Sequence, residues 1–222
     1  LYSIYFFEVM HKEDLIGKLK SSAFFLPPLT GLILQPDFGT FFICCSTIIF
    51  IAFMSRFDKK YFLGFLGIAS VLMTLVLLSA PYRLNRLITF LDPWKDPKSS
   101  GFQIIQSFLA FSNGGVLGRG FGNSDEKLFY LPEAHNDFIF SVLGEELGFI
   151  GVAVFVVILM AFIYNGLKLS FSRNDSVVKT LLISGVVFLI GFQSFLNIGV
   201  VLGLLPTKGL NLPFVSFGGS SL

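Results

Sequence analysis

The chain has 222 residues, of which 54% are hydrophobic, 16% aromatic and 14% charged, and its formal net charge is +2. A mean hydropathy of +0.78 excludes an ordinary soluble domain. Dispersed and nearly balanced charges exclude a basic surface for nucleic acid. The apolar runs can cross a hydrocarbon core of roughly 30 Å and lack the alternation of barrel strands. Composition therefore predicts an all-α protein, a polytopic transmembrane helical bundle.

Membrane spans follow one another along the chain. They are predicted near residues 22–35, 38–54, 61–80, 138–165 and 177–204, with the start of a last one from residue 213. Pro27 and Pro28 predict a kink in the first span. Because the sequence begins with Leu1 and stops where a further helix should be starting, we expect it to be a fragment of a longer chain.

The orientation of these spans follows from Lys and Arg in the short loops. Such residues occur in the loops 11–20, 55–60 and 166–179, which share one side of the membrane if every span is real. The opposite short loops hold only Lys208. The first side is therefore predicted to be cytoplasmic, and the long polar segment 81–137 is predicted to be an extracytoplasmic loop.

This extracytoplasmic loop contains two patterns of its own. In "GFQIIQSFLAF" (101–111), apolar residues recur at helical spacing, which predicts a short helix in or near the membrane interface. The "NGG" that follows predicts where that helix ends. The glycines of "NGGVLGRGFGNS" (113–124) match neither a P-loop nor a dinucleotide fingerprint, so flexible turns are the default interpretation.

Asp137 lies where this loop re-enters the membrane. If a helix starts there, Asp137, Ser141 and Glu145 follow at i, i+4 and i+8 and form a polar stripe facing protein or water rather than lipid. A simpler interpretation is that Asn136 or Asp137 caps the helix. The two interpretations are compatible, and the spacing does not choose between them.

Glu145 and Glu146 would lie about one third of the way across the membrane, at a rise of roughly 1.5 Å per residue. A charge at that depth is costly, so at least one should face the bundle interior, and a structural pairing with a Lys, Arg or backbone group of another helix is expected before catalysis. His135 is a candidate base or metal ligand. The other histidine, His11, falls on the cytoplasmic side, so a histidine zinc site is not expected.

Several basic residues on the external side are candidates to bind an anion such as a lipid headgroup. They are Arg83, Arg86, Arg119, Lys127 and Lys208. Lys208 runs against the charge bias of the short loops, so an external anion or carboxylate is expected near it.

Five segments resemble, in order and spacing, the SEDS family of bacterial cell-wall polymerases. They are "LQPDFGT" (34–40), "FLDPWKDP" (90–97), "GFQIIQS" (101–107), "GRGFGNSDEKLFYLPEAHNDFIFSVLGEELGFIG" (118–151) and "LPTKGLNLPFVSFGGSSL" (205–222). Their wording is more similar to the division branch of the family than to its elongation or sporulation branches. Asn136 stands where Thr is usual, and Phe102 and Phe217 stand where Tyr is usual, which removes hydroxyl groups but keeps Asp137.

The resemblance implies a fold and an activity. The chain would be the C-terminal part of one ten-helix membrane domain, from helix five to the start of helix ten. Family members polymerise lipid II into glycan strands outside the bacterial cytoplasmic membrane, with a class B penicillin-binding transpeptidase and, for the division branch, other divisome proteins at the division site. The aspartate regarded as catalytic in the family's "HxDFIF" motif is Asp137 here.

On that resemblance, Asp137 is expected to be the general base that takes the acceptor hydroxyl proton while undecaprenyl diphosphate leaves the donor glycan. The five basic residues are candidates to bind the diphosphate, and Glu133, His135, Glu145 and Glu146 are candidates to support the site. No metal ligand set is expected, although Mg²⁺ or Mn²⁺ could share in neutralising the diphosphate. A lipid II flippase, a scaffold for the transpeptidase and an elongation-type polymerase remain the alternatives.

Overall fold

The computed structural model describes residues 31, 38–55, 63–64, 66–67, 70–71, 74, 88–97, 101–124, 136–171, 176–207 and 209–217. The helices with described bounds are α1 (Phe38–Met54), α2 (Phe102–Gly114), α3 (Ile139–Ser170) and α4 (Val177–Val201), with a 3-10 turn at Pro93–Lys95. The described residues between 63 and 74 and residues 88–91 are helical as well. The described residues contain no strand, so the predicted all-α class is confirmed. Most of the spans predicted near 22–35 and 61–80 lies outside the described residues.

The long helices have the length and composition of membrane spans. Helix α3 has 32 residues and α4 has 25, and both are apolar enough to cross a membrane. The second part of α3, residues 149–170, is alone about 33 Å long at 1.5 Å per residue. Its apolar side chains point outwards, among them Val157 with 66% of its surface exposed. An apolar exterior of this kind suits contact with lipid tails or with other membrane helices.

Helix α4 ends at a glycine, slightly before the predicted end of its span. Gly203 adopts a φ of 67°, which glycine tolerates without the steric cost of a Cβ atom. The Gly203 amide donates to the Val200 carbonyl at 3.0 Å, and the Leu204 amide donates to the Gly199 carbonyl at 2.7 Å. These two bonds form a Schellman motif, which satisfies the last carbonyls of the helix.

The chain divides into two compact units, of which the first comprises Leu1–Ser79 and Phe162–Leu189. Among its described residues, the ring of Phe50 stacks on that of Phe188 with centroids 4.1 Å apart. The Ser170 hydroxyl donates to the Thr180 carbonyl at 2.8 Å, which joins the end of α3 to the first turn of α4.

The second unit comprises Ala80–Ala161 and Ile190–Leu222 and contains the segments that the sequence singled out. Its core cluster consists of Phe138, Phe140, Val142, Val201 and Leu212. These residues come from the start of α3, the end of α4 and the loop that follows α4. The same packing therefore brings the loop-to-helix junction at Asp137 close to the loop after α4.

The short helix predicted in the extracytoplasmic loop is confirmed as α2. It buries Ile104, Ile105 and Ser107, and the Ser107 hydroxyl donates to the Val201 carbonyl at 2.9 Å. The helix ends as the "NGG" predicted, because Gly115 at φ 54° donates its amide to the Phe111 carbonyl. Helix α2 therefore packs against the end of α4 and places the glycine-rich segment that follows it.

The last span differs from its prediction. Residues 213–217 form turns and bends rather than a helix, with the amides of Val215 and Ser216 donating to the Leu212 carbonyl at 3.2 and 3.0 Å. Phe214 in this turn has a φ of 66°, which is unusual for a residue other than glycine. The described part of the loop after α4 is therefore a folded turn rather than the first turn of a helix.

Candidate functional site

Asp137 lies in a turn at residues 136–138, directly before α3. The helix begins at Ile139, two residues later than the polar-stripe interpretation required, so Phe138 occupies the capping position and Asp137 precedes it. The Ser141 hydroxyl donates to the Phe138 carbonyl at 2.7 Å. Ser141 and Glu145 do lie four residues apart within α3, and both are fully buried. Ser141 and Glu145 therefore face the protein interior. Asp137 lies outside the helix and is only partly buried.

Asn197 of α4 holds the Asp137 turn against the loop after α4. Its Nδ2 atom donates to the Asp137 carbonyl at 2.7 Å and to the Leu210 carbonyl at 2.5 Å. Because both partners are acceptors, the contacting atom must be the amide nitrogen, which fixes the orientation of the side chain. Asn197 is 1% exposed, so a single buried side chain joins α4 to both segments.

Ser216 ties the loop after α4 to the turn at residues 136–138, and Gln193 ties the same loop to α4. The Ser216 hydroxyl donates to the Asn136 carbonyl at 2.7 Å and accepts from the Leu212 amide at 2.7 Å. The Gln193 side chain donates to the Asn211 carbonyl at 2.9 Å. The path of the loop after α4 is thus fixed by bonds to its backbone at Leu210, Asn211 and Leu212 and by the hydroxyl of its own Ser216.

The carboxylate of Asp137 lies directly against the backbone of this loop. A Cβ atom added to Gly209 would be 2.9 Å from the Asp137 Oδ2 atom. Because Gly209 has no side chain, the loop can approach that closely without displacing the carboxylate. Gly209 therefore lies beside the carboxylate that the family resemblance marks as catalytic.

The glycine-rich segment is docked onto α3 rather than being a set of flexible turns. Gly148 interrupts α3 with φ 66° and ψ −169°. At this break the amides of Arg119 and Gly120 donate to the carbonyls of Glu145 and Glu146, at 3.0 and 2.9 Å. In a continuous helix these two carbonyls would instead accept from the amides of Phe149 and Ile150, four residues further on.

The two amides that lose their helical partners at the break are satisfied by the same segment. The Phe149 amide donates to the Gly115 carbonyl at 2.9 Å, and the Ile150 amide donates to the Val116 carbonyl at 3.2 Å. Residues 115–120 are therefore inserted at the break in α3 and complete its backbone hydrogen bonding. Irregular backbone at membrane depth is tolerated under that condition.

Glycine is required at the points of closest approach between this segment and α3. A Cβ atom on Gly114 would collide with the Gly144 carbonyl oxygen, and one on Gly118 with the Glu146 carbonyl oxygen. A Cβ atom on Gly148 would collide with the Gly118 amide nitrogen. The spacing of these glycines thus records where two backbones touch, which is a packing role that the sequence motif did not reveal.

Glu145 is fully buried and is paired with two side chains of the glycine-rich segment 113–124. Its Oε1 atom accepts from Arg119 Nη1 at 3.2 Å, and its Oε2 atom accepts from the Ser124 hydroxyl at 2.5 Å. The expected structural pairing of Glu145 is thus present, although its partner comes from a loop. The Arg119 side chain remains 38% exposed.

Glu146, which is 7% exposed, lies beside Glu145 on the same turn of α3. Its carbonyl accepts from the Gly120 amide, so its backbone belongs to the same insertion. The remaining predicted site residues lie outside the described residues: Arg83, Arg86, Lys127, Glu133, His135 and Lys208.

Two separate clusters result, one around Asp137 and one around Glu145. The first joins Asp137 to Asn197, Gly209 and Ser216, and the second joins Glu145 to Arg119 and Ser124. Within the described ranges, no three His, Cys, Asp or Glu side chains converge in a manner that would hold a metal ion. Asn197 and Gly209 were not singled out from the sequence, because an asparagine in an apolar span and a glycine in a loop each have many ordinary roles.

Comparison with known proteins finds relatives across nearly the whole chain. A family described as cell cycle protein, which joins FtsW, RodA and SpoVE, matches residues 3–222. The chain is 44% identical over 194 residues to a probable peptidoglycan glycosyltransferase FtsW of Geobacter metallireducens, covering 87% of this chain and 52% of that protein. It is 43% identical over 190 residues to stage V sporulation protein E of Bacillus subtilis, covering 85% and 51%. The chain spans about half the length of the curated relatives it matches.

Two solved structures have a similar fold. One, concerned with the coordination of polymerization and crosslinking by a peptidoglycan synthase complex, has a TM-score of 0.66 at 29% identity and covers 89% of this chain and 55% of that one. The other is an aspartate-to-alanine mutant of the Thermus thermophilus rod shape determining protein RodA, with a TM-score of 0.60 at 22% identity, covering 99% and 59%. The helical fold implied by the family resemblance is therefore confirmed.

Proposed function

Because the chain belongs to the family of cell cycle proteins that joins FtsW, RodA and SpoVE, we propose that the whole protein is a peptidoglycan glycosyltransferase. It would polymerise lipid II into glycan strands of the septal wall during bacterial cell division. Relatives named probable peptidoglycan glycosyltransferase FtsW, 44% identical to this chain, support that activity. The long apolar helices and the family together make the protein membrane-embedded.

The observation that carries this proposal is the position of Asp137. It is a partly buried carboxylate in the turn before a membrane helix, held through its backbone by Asn197 and lying against Gly209. A general base must be held within hydrogen-bond reach of the proton that it removes. A carboxylate fixed at a loop-to-helix junction meets that requirement for a substrate whose lipid lies in the membrane and whose sugars lie outside.

In the proposed reaction, Asp137 removes the proton from the 4-hydroxyl of the acceptor sugar of lipid II. The hydroxyl oxygen forms a bond to the anomeric carbon of the donor glycan as the bond from that carbon to undecaprenyl diphosphate breaks. The electron pair leaves with the diphosphate, and the configuration at the anomeric carbon inverts. The proton remains on the Asp137 carboxyl until it is released to solvent.

The diphosphate leaving group requires cationic neighbours. Arg83, Arg86, Lys127 and Lys208 remain proposals for that role. Arg119 pairs with Glu145, its side chain is 38% exposed, and it remains a proposal for the same role. Glu133 and His135 remain proposed supporting residues, whereas Glu145 and Glu146 act through the inserted segment.

Mg²⁺ or Mn²⁺ is proposed only as a companion of the diphosphate. Such ions bind phosphates with one or two carboxylates and several waters, and do not need an all-protein cage. The described residues do not form such a cage, so no step of the reaction is assigned to a metal.

The proposed partners are lipid II, the undecaprenyl diphosphate-linked glycan, a class B penicillin-binding transpeptidase and other divisome proteins. A transpeptidase partner is supported by the structural likeness to a peptidoglycan synthase complex in which polymerization and crosslinking are coordinated. The proposed location is the bacterial cytoplasmic membrane at the division site, with Asp137 on the extracytoplasmic face. The location is tested with a fluorescent fusion of the full-length protein in growing cells. Fluorescence at midcell would support the division role, and fluorescence along the side wall would support the elongation role.

The test uses full-length protein purified with its transpeptidase and supplied with lipid II. We expect wild type to form glycan strands and Asp137→Asn, which keeps the size of the side chain, to lose at least about 10²-fold in rate. A normal rate for Asp137→Asn would show that the base is another residue. If wild type makes no glycan but moves lipid II between leaflets, the protein is a flippase. If it does neither and only activates the transpeptidase, it is a scaffold.

A further inference from the structure

Asn197 is the side chain that links the two segments on either side of the Asp137 carboxylate. It lies on α4, one turn before the helix ends, and reaches the Asp137 and Leu210 carbonyls with the same nitrogen. Leu210 is the neighbour of Gly209, whose Cα faces Asp137 Oδ2. The distance between the Asp137 carboxylate and the loop at Gly209 therefore depends on both hydrogen bonds of the Asn197 amide.

Each of these bonds ends on a backbone carbonyl, so the asparagine acts on the path of the chain rather than on the carboxylate directly. Fixing the Asp137 carbonyl limits the rotation of the peptide from which its side chain projects. Fixing the Leu210 carbonyl sets how closely Gly209 approaches that side chain. Only a group with two hydrogen atoms on one nitrogen, such as a primary amide, can serve both carbonyls at once from this place.

The second amide atom of Asn197 indicates that stability alone does not explain the residue. Its Oδ1 atom is buried and has no hydrogen-bond partner among the described residues. Burying an unsatisfied polar atom costs free energy of folding, and this cost offsets part of what the two hydrogen bonds of the same amide contribute. Departures of this kind from optimal packing are expected where a residue serves function.

We propose that Asn197 is a positioning residue for the glycosyl transfer, holding the Asp137 turn and the 209–212 loop at the spacing that the base requires. The proposal rests on the proposed function of Asp137. Ser216 and Gln193 secure the same loop at other points, so Asn197 sets the local distance at Asp137 rather than the presence of the loop.

Two substitutions separate this role from simple packing. Asn197→Leu removes both donors and keeps the branched shape of the side chain without leaving a cavity, whereas Asn197→Ala removes both donors and leaves one. Positioning by hydrogen bonds predicts the same loss in both variants, because both lose the donors. A packing role predicts that Asn197→Ala is impaired and that Asn197→Leu is close to wild type.

A matched control comes from the same helix. Ser194 is 1% exposed, but its hydroxyl donates to the Ile190 carbonyl at 2.8 Å, within its own helix. Ser194→Ala thus removes a buried polar contact three residues away without touching the Asp137 turn. It should polymerise lipid II at the wild-type rate.

The measurement is steady-state polymerisation by the full-length complex, with kcat and KM for lipid II determined separately and the melting temperature of each variant recorded. We expect kcat to fall by about 10²-fold in both Asn197 variants, as for a misplaced catalytic group, with KM within about twofold of wild type. Because the Asp137 and Leu210 carbonyls lose their donor in both variants, both should melt below wild type, and Asn197→Ala, which also leaves a cavity, should melt below Asn197→Leu. The kinetic comparison is therefore made at a temperature at which all variants are folded.

Several results would overturn the proposal: a kcat near wild type for Asn197→Leu, an effect on KM alone, or failure of both variants to fold, which would make Asn197 a structural residue. Asp137→Asn keeps this test apart from that of the proposed function. If Asp137→Asn is fully active, the base assignment fails whatever Asn197 does. If Asp137→Asn is inactive and Asn197→Leu has normal kcat, only the positioning role fails.

Discussion

Arg119 and Glu145 are joined twice, once through the backbone and once through their side chains. The Arg119 amide donates to the Glu145 carbonyl at 3.0 Å, and its guanidinium lies 3.2 Å from the Glu145 carboxylate. The double link holds the backbone of segment 115–120 against α3 and pairs the cationic side chain of that segment with a buried carboxylate. The pair is therefore a structural anchor of this segment on α3. It accounts for Glu145, one of the two carboxylates within an apolar stretch.

Removing the arginine should cost more than neutralising the glutamate. Arg119→Ala leaves the buried Glu145 carboxylate without its cationic partner and should lower the free energy of unfolding by about 2–3 kcal/mol, moderated because Arg119 is partly exposed. Glu145→Gln keeps one acceptor oxygen and should cost about 1 kcal/mol. Thermal unfolding of the full-length protein in detergent measures both.

The control for that comparison is an exposed ion pair of the same loop. Lys95 and Asp92 are 3.9 Å apart with side chains 74% and 46% exposed, so Lys95→Ala should change stability by less than about 0.5 kcal/mol. Equal effects of Arg119→Ala and Lys95→Ala would contradict the anchoring role of Arg119.

The break in α3 should not tolerate a side chain. Gly148→Ala places a Cβ atom at φ 66° and against the Gly118 amide, so the cost combines an unfavourable backbone conformation with overpacking, about 3 kcal/mol in total. Gly122→Ala is the matched control. Gly122 also has a positive φ, 80°, but open space around it, so it should lose only about 1–2 kcal/mol. Melting temperatures that fall equally would show that residues 115–120 do not occupy the break.

Gly209→Ala should lower activity while leaving the fold unchanged. The added Cβ atom would lie 2.9 Å from Asp137 Oδ2, and the carboxylate can rotate away at little cost in stability. Because catalysis depends on its position, polymerisation of lipid II should slow by about 10-fold or more. Gly67→Ala, where nothing lies within 4 Å of the new atom, should leave the rate unchanged. A normal rate for Gly209→Ala would show that the site tolerates displacement of this carboxylate.

A charge in the middle of α3 should oppose membrane insertion. Val157 is 66% exposed on the apolar surface of this helix, so Val157→Arg should disfavour insertion by about 2.5–3.5 kcal/mol. Leu169→Arg near the end of the helix is the control, because a long cationic side chain there reaches the interface. Glycosylation mapping of the two variants in microsomes measures the difference, and equal insertion would place Val157 away from the apolar core.

The sequence predicted the regular helices well because their apolar composition alone decides them. The span 38–54 coincides with α1, and α2 ends at the predicted glycines. The break at Gly148 was not predictable, since "LGFIG" reads as ordinary apolar helix. What breaks it is a segment about 30 residues earlier in the chain, and no local pattern reports such a contact.

The site was predictable in part for the same reason. Asp137 is marked by its place between a polar loop and an apolar span and by the family resemblance. The contacts of Asn197 with Asp137 and Leu210 depend on tertiary packing, because 60 positions separate Asn197 from Asp137. Asparagine in a span signals some internal hydrogen bond, but the spacing along the chain does not name the partner.

The insertion at Gly148 bears on how the protein is made. Segment 115–120 is synthesised before α3, yet it can dock only once α3 exists, because each supplies the other's hydrogen-bond partners. In a continuous α3 the amides of Phe149 and Ile150 would pair with the carbonyls of Glu145 and Glu146. Docking replaces these two bonds by four bonds to the loop, so the loop can reach its final place only after α3 has formed.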